Sequence, residues 1–448
     1  MPGTVNRRAV RWLRGQLPEL VAAGAISSEN AASIERHYAS VETRSNFGFV
    51  ILATVGAALV GAGIILLIAH NWNDLSRAAR TIIAFIPLLL AQALVAFVLL
   101  RRNDSRAWRE AVAVFDVAAL ATAISLVSQT YQVQGTFDDF MRIWMILSIP
   151  IVYLLRTTLG AIVYVVGAVV WLFDLWSFFG TPESPNFFWI FLLLVIPYLL
   201  ICYRRNRESS ETAALAMVVA LASIIALGAT ADFAKSDLGP FSFAGLMTVI
   251  YLCGLRFLPR TDQRLSALAI IGGIGIGVVA IVLSFQSAWH MGHDFNWAGR
   301  SFPQNVALAI ELIFPIVAVV LSGWDLMQRR ARFSIVAAAA PVVAAVTWAT
   351  VKICNAPGGH VLPADCSFVG AAVFNIYALW LGIDILGRGI GSNSIARANF
   401  GLVLIAALAM ARFFDSDLSF VTRGLGFILV GAGFLVANVL LFKQRATA

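Results

Sequence analysis

Charge is what this chain has least of. Only 12% of its 448 residues are Asp, Glu, Lys or Arg, 60% are hydrophobic, and mean hydropathy is +0.84. Soluble domains carry about 25% charged residues, so a chain half as charged cannot dress its surface for water. Alternating strand patterns are missing too, which excludes a transmembrane barrel. Lysine is scarce: arginine supplies 29 of the 32 positive charges and lysine 3. These cations lie in short stretches between apolar runs, so the net charge of +8 implies membrane topology and not nucleic acid. Catalytic and nucleotide signatures are absent as well. There is no Walker loop, no dinucleotide fingerprint after a strand, no GxSxG and no HExxH. ATP-driven transport by this chain alone is thereby excluded. The glycine-rich GGIGIG at 272–277 lies inside an apolar run and reads as a helix-packing surface. No cofactor is implied, and no secretory signal is expected, since residues 1–46 are polar and Arg-rich.

What is present is a succession of apolar segments close to the length that crosses a bilayer as a helix. Fourteen are read, at 47–69, 78–100, 111–127, 140–155, 159–174, 187–203, 212–230, 241–257, 265–285, 306–326, 333–351, 368–386, 398–414 and 419–442. The fourth is the weakest, being short and holding Pro150. With the N-terminus inside, 24 of the 32 cations fall in cytoplasmic segments and 8 outside. That bias supports an even span count and cytoplasmic termini. Loss of an adjacent pair would keep the alternation, so twelve spans satisfy the rule as well. The expectation is an all-α polytopic transmembrane bundle over 47–442, a cytoplasmic helical hairpin over 1–46 and a cytoplasmic tail at 443–448. Its localisation would be a cytoplasmic (inner) membrane, with the lipid bilayer as its first partner. Nothing fixes the oligomeric state.

In the head, RRAVRWLRGQLPELVAAG places Val10, Leu13, Leu17 and Leu20/Val21 on one stripe. A second short helix follows Gly24, with Ser27 or Ser28 as its N-cap. The stripe suits docking on the bundle, an anionic lipid surface or a partner.

Three polar patches lie at the outer face in this topology. His70, Asn71, Trp72 and Asp74 end span one. Gln129, Tyr131 and Gln132 end span three. Arg412, Asp415 and Asp417 end span thirteen. Two readings stand side by side. These residue types cap helices and anchor interfaces. They also supply the carboxylates, carboxamides and guanidinium that hold a lipid headgroup or a small polar ligand, if the patches converge.

Two acids, Asp116 and Glu311, fall within spans, each about a turn and a half from an end. An intramembrane acid is a functional hypothesis by default. Asp116 is expected to pair with Arg109 or another loop arginine, or to serve proton or ion coupling. Asn375 is expected to bond a neighbouring helix. His290, His293 and Asp294 match no zinc signature, and no metal site is read. Cys354 and Cys366 share one outer loop, where a disulfide and free thiols are both open. Cys202 and Cys253 are read as free.

Four stretches together resemble a known family: LVAAGAISSENAASIERHY, GAALVGAGIILLIAHNWNDL, SLVSQTYQVQG and NFGLVLIAALAMARFFDSDLSFVTRGLGFILVGAGFLV. They are similar to DUF2157, a family of bacterial predicted membrane proteins. The likeness runs from the head through about the sixth span and returns in the last two. It implies a bacterial inner-membrane protein and carries no activity. A small residue usually precedes the family's asparagine, and here it is His70. Three functions follow from residue type and topology. The first is a secondary transporter or lipid-handling permease with an outward-facing polar pocket. The second is a membrane enzyme acting on an envelope lipid or glycan. The third is a sensor or scaffold working through the hairpin.

Overall fold

The computed structural model describes residues 7–38, 72–177, 185–206, 209–256, 266–290, 299–328, 334–354, 366–392, 394–414, 428 and 431–433. Regular structure among them is entirely helical. The chain divides into two compact units, Met1–Arg80 and Thr81–Ala448.

In the first unit, α1 (Arg7–Ala22) and α2 (Ser28–Tyr38) are joined by a turn. Gly24 takes φ +68° there, a conformation that glycine adopts without penalty. Leu17 is buried. Ser27 caps α2, its hydroxyl accepting from the Asn30 N–H at 3.1 Å.

The second unit is built on helices that coincide with the apolar segments from the second to the thirteenth. They are α3 (Arg77–Arg101), α4 (Arg106–Tyr131), α5 (Phe137–Leu155), α6 (Thr158–Ser177), α7 (Asn186–Arg205) and α8 (Ser210–Ala234). They continue as α9 (Gly239–Arg256), α10 (Ala267–Leu283), the single turn α11 (Ser287–His290) and α12 (Phe302–Met327). The last are α13 (Ile335–Ala338), α14 (Ala340–Cys354), α15 (Ser367–Gly391) and α16 (Ile395–Phe414). The eleventh segment is split at Ala339, where Pro341 has no N–H to give the Ala337 carbonyl one turn back. The first segment lies outside the described residues, and so does the fourteenth apart from 428 and 431–433. Pro150 sits inside α5 and does not end it.

Eight of these helices (α3, α4, α7, α8, α9, α12, α15 and α16) are long and apolar enough to cross a membrane. Segments of α6, α10 and α14 are equally apolar but shorter. Their outward faces carry large apolar side chains, such as Ile82 at 64% exposed, Leu89 at 65% and Ile376 at 68%. A water-soluble surface does not tolerate so many together, whereas lipid does.

Polar residues set the ends. Thr136 and Asp139 form a capping box on α5. Ser209, Ser266 and Ser334 accept backbone N–H groups at the starts of α8, α10 and α13. At the centre, α9 packs against α8, α10, α12 and α14. Glycine permits this: a methyl group at Gly245 would strike the Pro315 backbone, and one at Gly272 the Tyr251 backbone. Gly272 belongs to GGIGIG, which is indeed a packing surface, with Gly275 on the Met247 side chain and Gly277 near Leu404.

Candidate functional site

The second stretch of the resemblance ends in a short turn. Trp72–Asp74 form one 3-10 turn, and Asp74 is exposed. Arg80 stacks on the Trp72 ring, with its guanidinium carbon 5.9 Å from the centroid. Ser76 caps α3, its hydroxyl accepting from the Ala79 N–H at 3.2 Å. His70 and Asn71 lie outside the described residues.

In the second patch, the Tyr131 hydroxyl accepts from Thr81 at 3.0 Å. Gln132 closes α4 in the left-handed conformation, φ 49°, with its N–H on the Gln129 carbonyl. In the third, Arg412 donates to the Ser284 hydroxyl at 3.3 Å and lies 4.6 Å over the Phe285 ring. A cation at the C-terminal end of α10 suits the helix dipole. Asp415 and Asp417 lie outside the described residues. Asn375 turns to the same end of α10, donating to the Ser284 carbonyl at 3.1 Å and to Ala371 on its own helix at 2.8 Å.

The two intramembrane acids are the most buried acids among the described residues. Asp116 is 1% exposed and Glu311 is not exposed at all. The helices run further than the apolar runs, so both sit deeper than the sequence implied. Asp116 is ten residues from the start of α4, about 15 Å along the axis. Glu311 is nine residues from the start of α12, about 13 Å. Among the described residues Asp116 pairs with no arginine; it accepts from Gln92 Nε2 on α3 at 2.8 Å. Glu311 accepts from Ser236 at 2.8 and 2.7 Å, one bond to each carboxylate oxygen. Ser242 adds a longer bond at 3.3 Å. Arg300 acts on Glu311 through space, while its guanidinium donates to the carbonyls of Ala234 and Lys235.

Sequence reading missed a second class of acids, each held by a cation or a helix start. Glu110 caps the start of α6, accepting from the Thr158 N–H at 2.9 Å, the Leu159 N–H at 2.7 Å and the Thr157 hydroxyl. Arg106 bridges Glu110 and Glu211, tying α4 to α8. Asp138 pairs with Arg142 and accepts from Trp171. Asp237 pairs with Lys352. Asp384 holds Arg388 at 2.9 Å and Ser334 at 2.6 Å. The spacing i, i+4 of 106/110, 138/142 and 384/388 was a readable signal. The longer-range partners had none.

Cys354 and Cys366 are joined as a disulfide with their Cα atoms 6.1 Å apart. Cys202 and Cys253 are free. Among the described residues no group of three or more His, Cys, Asp or Glu could hold a metal ion. The His290 side chain, His293, Asp294 and His360 lie outside them.

The family reading now has an independent measure. Residues 18–160 match the model of DUF2157, a predicted membrane protein family. The DUF2157 match covers α2 and the helices through α5, with Gln92, Asp116, Gln129, Tyr131 and Gln132. It stops before the last two spans, where the sequence also suggested likeness, and before Glu311. No curated protein and no solved structure matches the chain.

Proposed function

We propose that the chain is a multi-pass protein of a bacterial cytoplasmic membrane, with both termini inside, and that it works as a secondary transporter or lipid-handling permease. In this reading Asp116 and Glu311 are its coupling groups. One observation carries it: two carboxyl groups lie buried far inside long apolar helices, and among the described residues their hydrogen bonds come only from uncharged groups, Gln92 in one case and Ser236 and Ser242 in the other. A carboxylate so placed costs several kcal/mol unless a proton or cation neutralises it. The structural acids of this chain are treated differently. Asp138, Asp237 and Asp384 each have a cation in contact. Acids buried without a cation in contact are those that load and release one in ion-coupled carriers. The outer polar residues Trp72, Asp74, Tyr131, Gln132 and Arg412, with His70, Asn71, Gln129, Asp415 and Asp417, are then the candidate contacts for a lipid headgroup or small polar ligand.

The test is gradient-driven uptake. Proteoliposomes of bacterial lipid are given a polar metabolite extract under an imposed pH gradient, and their contents are read by mass spectrometry. Wild type should accumulate at least one compound only with the gradient. The Asp116→Asn/Glu311→Gln variant should not. No gradient-dependent compound, or equal uptake by the variant, overturns the reading.

A second reading has its own support. Residues Met1–Arg80 form a compact unit of their own, as a sensor or scaffold head would. Deleting residues 1–40 would then abolish the cellular phenotype, whereas gradient-driven uptake should survive the deletion.

A further inference from the structure

Glu311 has no exposed surface, so whatever loads it must first get past its neighbours. The nearest is the short connection between α8 and α9, residues 235–238, which supplies Ser236. Lys235 enters this connection in the left-handed conformation, φ 47°, without being glycine. That costs on the order of 1 kcal/mol or more, and it persists only where surroundings enforce it.

Three ties do so. Arg300, just ahead of α12, holds the Ala234 and Lys235 carbonyls. Glu311 itself holds Ser236. Lys352, near the end of α14, holds Asp237. The first two come from α12 and the residues leading into it; only the third comes from another helix. Its two ends differ, because the Lys352 side chain is 39% exposed while that of Asp237 is 5% exposed. The second oxygen of Asp237 has no hydrogen-bond partner among the described residues. The buried carboxylate therefore depends on Lys352. Lys352 in turn stands two residues before Cys354, whose disulfide to Cys366 pins the end of α14 to the start of α15.

We infer that residues 235–238 form a latch over Glu311, and that the Lys352–Asp237 ion pair is its release point. Asp237 and Lys352 are positioning residues: they touch no ligand and set whether Glu311 can be reached. Arg300 acts on Glu311 through space, Lys235 and Asp237 flank Ser236 in the connection, and Lys352 pairs with Asp237. Breaking the Lys352–Asp237 pair leaves a buried charge alone, which favours an open connection with Asp237 in water. The inference rests on the proposed role of Glu311 only in naming what the latch guards.

The test reads the accessibility of that one carboxyl. The full chain in lipid nanodiscs is treated with a water-soluble carbodiimide and glycine ethyl ester, and amide formation at each acid is followed by peptide mass spectrometry. In wild type the exposed Asp74 should label and Glu311 should not. In Lys352→Gln, which leaves the Asp237 carboxylate buried without its cation, the labelling rate of Glu311 should rise about tenfold, as local opening becomes less costly, and in Asp237→Asn, which loses the tie but leaves no buried charge, it should rise less. Asp116 should stay unchanged, and Lys352→Arg, which keeps the charge, should leave Glu311 as protected as in wild type. Unchanged Glu311 labelling in both charge-removing variants overturns the latch. So does an equal rise at Asp116, which would report general loosening. The coupling role fails separately, if Glu311→Gln still drives uptake while the labelling results hold.

Discussion

The helices α3 and α4 meet through their side chains, whereas α9, α10 and α12 meet through their backbones. On the first pair, Thr81 reaches Tyr131 near one end, Gln92 reaches Asp116 in the middle, and Phe97 meets Trp108 edge-on at 6.0 Å near the other end. In the second group, Gly245 lies on the Pro315 backbone, Gly254 on Ala269 and Gly272 on Tyr251. The two arrangements resist motion differently. A backbone contact leaves no room to slide, while two hydrogen bonds and a ring pair can open and re-form. One buried acid lies in each setting. If the protein moves as it works, α3 against α4 is the joint with the lower barrier, and the α9 group is the frame. The DUF2157 match covers the joint and ends before the frame.

The contrast breaks most sharply at a glycine. Gly272→Val should cost about 3 kcal/mol, the upper range for overpacking, because the obstacle is backbone and cannot rotate away. Denaturant titration of the purified protein measures it. A cost below about 1 kcal/mol would mean that the frame yields as readily as the joint.

Next in size is the middle of the joint. Gln92→Leu leaves the Asp116 carboxyl buried without a partner and should cost about 2 kcal/mol. Replacing both, Gln92→Leu with Asp116→Leu, should recover most of that, since an apolar pair of similar shape is close to neutral. The double variant separates the two meanings of Asp116. If the acid only ties helices, stability and uptake both return. If it couples, stability returns and uptake does not.

The sequence made the helices legible because an apolar run of membrane length has few alternatives, and the segments from the second to the thirteenth all appear as helices where described. It misjudged their ends. Arg106, Arg109 and Glu110 look like a loop when read alone, yet Glu110 is buried by the start of α6, and α4 begins at Arg106. That error moved Asp116 toward the surface and suggested Arg109 as its partner. The true partners were hidden for one reason. Gln92 is 24 residues from Asp116, and Ser236 is 75 from Glu311; no local period links them. The cap at Ser27 was legible because it acts within three residues of itself, and Ser76 and Thr136 work over the same reach.

The smallest effect concerns the bend at HNWND, where capping and ligand binding compete as explanations. Ser76 does the capping of α3, so Ser76→Ala should cost about 1 kcal/mol. Asp74 is exposed two residues earlier, and a turn residue there should tolerate Asp74→Asn with a change within about 0.5 kcal/mol. Stability therefore assigns the cap to Ser76 and leaves Asp74 without a structural task. Native mass spectrometry of the protein taken gently from its own membrane then decides what remains. A lipid or small molecule that stays on Ser76→Ala and leaves Asp74→Asn would make the exposed carboxylate part of a binding surface. The same adduct on both would make the bend a helix cap beside an interfacial tryptophan, and nothing more.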